Sequence, residues 1–414
     1  MKRVLLDKVL MIRSEAFIIV KLDTHAMKRS SIFIFILIFI YGSLTAQAQK
    51  PEKIYSVARV AKPHSYYVIQ AALWWQEIEK NGKNEKAWYN YYKANRYAKM
   101  TSDGSESWIE ESSFLKEPDA IIELITKAIP GTYSYYILQN RGYPADKDRF
   151  EALQKAYEID PDNPDTYSGF VIYYDAKMNR DQRAEFNKKW FQSNDFSPGL
   201  MNYSYNVLMS MEKDGAILTF GDNDTFPIWM LQDALGIRTD ITVLNGNLLT
   251  NTEYRQKLFD ALNIPAYTEG NEDDPADESS RAIMRHIIEN KPDDLPLYIS
   301  TPAWKQFTEY DDELYIVGLV FRYSKENIDN IALLRKNFEK NFALDYIVHQ
   351  FSFDISQDIV TRINVNYLPG IIKLYQHYKL SGEEEKANKY KELGMLIADK
   401  GGSYWKEKAE EIFE

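Results

Sequence analysis

Cysteine is absent from all 414 residues. That excludes a disulfide framework, a thiol nucleophile, a thiolate metal site and a lipidated N-terminal cysteine. Histidine is scarce, and His64, His286, His349 and His377 are scattered without metal-ligand spacing, so each is read as an ordinary surface or core residue. Also missing are a glycine-rich phosphate loop ending in Lys-Ser or Lys-Thr, a G-x-G-x-x-G after a strand, and a G-x-S-x-G nucleophile elbow. No cofactor and no metal are expected, and no set of catalytic residues can be named. The apolar run from Ile32 to Tyr41 is roughly half the ~20 residues needed to span a bilayer, so no stable membrane span is expected once a leader is removed.

That run belongs to a secretory signal starting at Met27: Lys28 and Arg29 form its basic start, and Ala46-Gln47-Ala48 its small-residue cleavage site, with cleavage before Gln49. The preceding residues carry mixed charges, so Met27 is expected to be the true start and the chain an exported, periplasmic or envelope-associated protein. Without the first 48 residues, 43 basic side chains face 58 acidic ones, a net charge of −15 against −11 for the whole sequence. Such a surface disfavours phosphate backbones, so nucleic acid is not an expected partner.

What the chain has in quantity is aromatic: 30 tyrosines, and 14% aromatic residues overall. From about Pro63 to Met211 apolar and aromatic residues recur at helical spacing. Tyr67, Ala71, Leu73 to Trp75 and Ile78 make one face; Trp88, Tyr91, Tyr92, Ala94, Tyr97 and Ala98 make the next, across a turn at Asn81 to Asn84. Pro130, Pro164 and Pro198 then open three similar segments at a constant 34-residue interval, the period of tetratricopeptide (TPR) helix pairs. Tyr367 to about Lys400, broken at Ser381-Gly382-Glu383, resembles one further unit.

Between these parts the pattern changes. Ala216 to Phe220, Ile241 to Leu244, Leu297 to Ser300 and Tyr315 to Phe321 are short apolar runs that predict buried strands. Helical patterns at Ile228 to Leu235, Glu253 to Leu262 and Arg281 to Ile288 separate the first three. The acidic stretch Glu269 to Glu278 predicts a solvated loop. The expected fold class is thus α/β plus all-α: TPR-like repeats flanking a small three-layer α/β domain with a mainly parallel sheet. The expected divisions are residues 1–48 as extension and signal, 49–211 as helical repeats, 212–330 as the α/β domain and 331–414 as a C-terminal TPR-like region.

Candidate binding residues follow from the strand ends, where open α/β sheets place their ligands. Asp222, Asn223 and Asp224 follow the first strand, Asn245 and Asn247 the second, Thr301 and Trp304 the third. Carboxylates, amides, a hydroxyl and an indole suit a sugar or another small polar molecule. Four of these have a plainer alternative: helix capping or an Asx turn for Asp224, with Pro227 in the first helical turn and Phe226 or Thr225 as the cap, and turn structure for Asp222, Asn245 and Asn247.

The stretch from Gly215 to Leu249, containing Gly221-Asp222-Asn223-Asp224-Thr225-Phe226-Pro227, Trp229 and Gly236-Ile237-Arg238-Thr239-Asp240, resembles the soluble C-terminal region of a bacterial family. That family, frequent in Bacteroidetes, comprises multi-span membrane proteins similar to protein O-mannosyltransferases, with TPR-like helices in the soluble region. Its membrane-spanning part has no counterpart here, and the presumed glycosyl transfer belongs to that part. The resemblance therefore implies an accessory or recognition role, while Asn245-Gly246-Asn247 departs from the family pattern. The expectation is an exported binding or scaffold protein of envelope or glycan-related assembly, its helices holding a protein partner. The alternative is a carbohydrate-processing enzyme using Asp222 or Asp224.

Overall fold

A computed structural model describes residues 50–140, 147–267 and 276–414. The expected signal segment and most of the acidic stretch lie outside the described residues. Glu52–Glu414 forms one compact unit.

Among the described residues, eight α-helices precede the sheet: α1 His64–Lys80, α2 Glu85–Met100, α3 Pro118–Ala128, α4 Tyr133–Gln139, α5 Lys147–Ile159, α6 Tyr167–Ala176, α7 Arg180–Gln192 and α8 Pro198–Met209. They pack as consecutive pairs, α1 with α2, α4 with α5 and α6 with α7. Pro130 and Pro164 precede α4 and α6, each the first helix of a pair, and Pro198 is the first residue of α8, where its missing N–H costs nothing. Polar caps start the helices: the side chains of Asn84, Thr132, Asn179 and Ser197 each accept a backbone N–H of the following turn. The C-terminal helices are α12 Asn330–Lys336, α13 Asp345–Val348, α14 Gln357–Asn364, α15 Leu368–Leu380 and α16 Glu384–Gly401, the last two packed on each other, and α17 Ser403–Phe413.

The sheet consists of β1 Ala216–Thr219, β2 Thr242–Asn245, β3 Leu297–Ser300, β4 Leu314–Ile316 and β5 Val320–Tyr323, in the order β2-β1-β3-β5-β4. It is mixed, not mainly parallel. β1 pairs in parallel with β2 and β3, with Ile217 opposite both Val243 and Tyr298, whereas β5 runs antiparallel to β3 and β4. The helices α9 Asp222–Leu235, α10 Thr252–Leu262 and α11 Ala276–Asn290 supply crossovers for the parallel half. Only short 3-10 turns follow β3, and the Tyr315 to Phe321 run, expected as one strand, splits into two. The break is at Gly318, where an added Cβ would collide with Ser210 and the ring of Phe342. Every residue of β1 and β3 is buried, so both sheet faces are covered. Asp277 and Glu278, expected in a loop, belong to α11.

Two cores hold the unit together. One gathers Ile54 to Leu138 from the first helices, and the other runs from Leu153 to Phe413 through repeat helices, sheet and C-terminal helices. Packing is thus continuous from α6 and α7 into the sheet.

Candidate functional site

The stretch following β1 starts a helix earlier than its sequence suggests. Gly221, in extended conformation, is the N-cap, and α9 begins at Asp222. Pro227 lies in the helix interior, not in the first turn, and neither Phe226 nor Thr225 is the cap. The cause is Asp224, the third helical residue, whose carboxylate reaches back to accept the N–H groups of Gly221 at 2.6 Å and Phe220 at 3.1 Å. Ser300 of β3 donates to the same carboxylate at 2.8 Å. Asp224 is 6% exposed, and burial pushes its carboxyl up while these donors pull it down. It ties the start of α9 to the turn after β1 and to β3.

The other strand-end candidates are also tied into the fold. Asn245 accepts from the N–H groups of Asn247 and Leu248 at 3.0 and 3.1 Å and donates to Thr225 Oγ1 at 3.0 Å. Asn247 donates to the Phe220 carbonyl at 3.2 Å. Thr301 donates to the Leu319 carbonyl. Trp304 donates to Asp311 at 3.1 Å and stacks on Phe321. The strand ends therefore do not assemble into one open cluster: Asp224, Asn245, Asn247, Thr301 and Trp304 are structural links.

Asp222 and Asn223 point elsewhere, into a cavity of about 340 Å³ between the start of α9 and the repeat helices. Asn223 donates to the carbonyl of Ala58 at 3.0 Å, which fastens the N-terminal segment across the cavity. Ile54 N–H, held by Asn90 Oδ1 at 2.8 Å, anchors the same segment to α2. Asp222 makes no hydrogen bond or ion pair among the described residues, and its carboxylate is exposed within this recess.

Sequence reading missed the cations facing it. Lys93 and Arg96 project from α2, and Lys53 and Arg59 from the N-terminal segment. Arg59 pairs with Asp195 at 2.6 Å and Lys93 with Asp165 at 3.3 Å, while Tyr89 donates to Asp165 at 3.0 Å. Burial, reinforced by the nearby charges of Lys53 and Arg59, lowers the Lys93 ammonium despite Asp165. Burial alone would raise Asp165, but Lys93, the Tyr89 hydroxyl and Lys53 outweigh it and hold it below the carboxylate norm. The signal was present in α2, where Tyr89, Lys93, Arg96 and Tyr97 recur at helical spacing beside the apolar face. What it lacked was a partner surface, since Asp165 and Asp195 come from distant turns.

The enclosing walls raise the Asp222 carboxyl above its ordinary 3.8, with Arg96 pulling the other way. A raised acid binds more protons when folded, so its contribution to stability falls as pH rises from the unfolded toward the folded pKa. Asp222→Asn removes that slope. Urea midpoints of both proteins, followed through the mildly acidic range, should show the native chain losing stability relative to the variant as pH rises; parallel curves would contradict the assignment.

Among the described residues, no group of three or more His, Asp and Glu side chains is placed to hold a metal ion. None of the described helices is long and apolar enough to cross a membrane.

The fold and cavity define a helical-repeat protein carrying a small mixed α/β sheet, with a polar recess where the two meet. Residues 200–291 match the family model described as TMEM260-associated domain 2. The matched range contains the Gly215 to Leu249 stretch. No curated protein matches the chain. Among solved structures, the crystal structure of yeast Tom70 is similar at 13% identity over 94% of this chain and 74% of that one, with a TM-score of 0.25, too low to bear on fold or function.

Proposed function

We propose that this chain is an exported interaction scaffold in glycan-related envelope assembly, whose helical repeats hold a protein partner while the cavity beside Asp222 holds a small polar ligand such as a sugar. The observation that carries the ligand reading is an unpartnered carboxylate facing cations and aromatic rings across a recess of ligand size. The paired repeat helices and the TMEM260-associated match support the rest. The leader-like pattern from Met27 to Ala48 supports export, and N-terminal sequencing of the mature protein is expected to begin at Gln49.

The carbohydrate-processing alternative is narrowed to Asp222, because Asp224 is consumed in bracing α9. Glycoside hydrolysis ordinarily needs two free carboxyl groups, and the other two carboxylates of the cavity are ion-paired. Calorimetric titration with a panel of saccharides tests the proposal: Asp222→Ala is expected to abolish binding while leaving the melting temperature within about 2 °C, as surface substitutions do. Glycan turnover by the native chain that disappears in Asp222→Ala would replace the scaffold reading with the enzymatic one.

A further inference from the structure

The charges around the cavity do not cancel. Arg59 is neutralised by Asp195 and Lys93 by Asp165. Lys53 and Arg96 are left without an ion pair among the described residues, resting only against the rings of Tyr55 and Tyr97 at 5.1 and 5.9 Å. Against these two stands one unpaired carboxylate, Asp222. The recess thus holds one uncompensated positive charge within a chain of net charge −11.

Polar atoms without partners surround the same space. Among the described residues, the Nε1 of Trp190, a residue 8% exposed, and the Nε of Arg59 have no acceptor, and the Oδ1 of Asn140 has no donor. All three residues line the cavity. Buried polar groups are seldom left so in a finished structure, and here donors and acceptors are orphaned around one space. Tyr55, Tyr89, Tyr92, Tyr97, Trp190 and Phe226 supply aromatic walls.

We propose that the cavity takes an acidic saccharide, a pyranose bearing a single carboxylate, with Lys53 and Arg96 binding the carboxylate and Asp222 and Asn140 accepting from ring hydroxyls. This rests on the reading of the cavity as a small-ligand site. One negative charge balances the excess; a phosphate monoester would bring more, beside Asp222. A zwitterionic amino acid would leave the excess in place. Hydroxyl donors are what Asp222 and Asn140 lack, and a sugar ring offers both these and an apolar face for the aromatic walls. At about 340 Å³ the space lies at the small end of ligand sites, suited to one or two sugar rings.

The test is calorimetric titration of the full chain with glucuronate, galacturonate and mannuronate, each against its neutral parent hexose, with acetate, inorganic phosphate and free glutamine as controls. At least one uronate is expected to bind about tenfold or more tightly than its parent, the margin of a charge-assisted contact. The double variant Lys53→Gln/Arg96→Gln, checked for an unchanged circular-dichroism spectrum, is expected to erase that preference while retaining weak binding. Asp222→Asn is expected to weaken uronate and hexose alike. Equal binding of uronates and hexoses overturns the acidic assignment and leaves the polar-ligand reading standing. Acetate or phosphate binding as tightly as the uronates, or glutamine outcompeting them, overturns it as well, in favour of a simple anion or an amino acid. Failure of every saccharide to bind removes both.

Discussion

Arg183→Ala lowers the unfolding free energy by about 3–5 kcal/mol, the range for breaking a buried ion pair from one side. Arg183 lies on α7 with its side chain 5% exposed, and Asp175 of α6 and Asp233 of α9 flank it at 0% and 10%. Its Nη1 donates to Asp175 at 2.7 Å, and its Nε and Nη2 donate to the two oxygens of Asp233 at 2.8 Å each. Asn187 adds a bond to Asp233 at 2.6 Å, and the guanidinium lies 5.2 Å from the ring centre of Trp229. Removing the arginine leaves two carboxylates in a water-poor space, with Arg180 still bonded to Asp175 but nothing bridging to Asp233 except Asn187. Because the cluster joins the repeat pair α6–α7 to α9, the loss should also loosen the cavity wall. Urea unfolding followed by circular dichroism measures it. Replacing Arg183, Asp175 and Asp233 together with apolar residues of similar volume is expected to cost clearly less than Arg183→Ala alone, since no charge is then stranded. A single-variant loss below about 1 kcal/mol would show the cluster to be solvated.

Asp224→Ala costs about 2–4 kcal/mol, because it takes the acceptor from the buried Ser300 hydroxyl, at about 1–3 kcal/mol for a buried group left unsatisfied, and removes the cap over the part-buried Phe220 and Gly221 N–H groups, at about 1 kcal/mol. Asp224→Asn does not restore the bracket, since one amide oxygen cannot serve all three donors and the NH2 group would face them. Asp222→Ala, two residues away, has no bond to lose and stays within about 0.5 kcal/mol of the native chain. Thermal melts of the two variants side by side, with ligand titration of each that folds, separate structural from functional carboxylate. Comparable losses of stability in both would mean that Asp222 is also held by the fold.

The contrast between these neighbours bears on how much could be read beforehand. Helix pairs were legible because Tyr67, Trp74, Trp88 and Tyr91 recur at helical spacing and Pro130, Pro164 and Pro198 mark a constant period. The strand at Ala216 was legible as an apolar run. The reversal at Gly318 was not, because its reason is the close approach of Ser210 and Phe342, distant in the chain. The early start of α9 rests on a local spacing, Gly221 to Asp224, that the Pro227 position masked, and on the Ser300 hydroxyl that completes the Asp224 bracket from another strand.

Sequence alone determined the local elements of this protein, the repeat period, the acidic balance and the prominence of Gly221 to Pro227, all of which depend on near neighbours or on composition. Tertiary structure decided which carboxylate is free. Asp224 turns inward because its own turn, through Phe220 and Gly221, and Ser300 of β3 present donors to it, while Asp222, exposed at the start of the same helix, faces Arg96 from a helix more than a hundred residues earlier. Long-range packing brings Ser300 and Arg96 to these positions, and no spacing in the sequence encodes that.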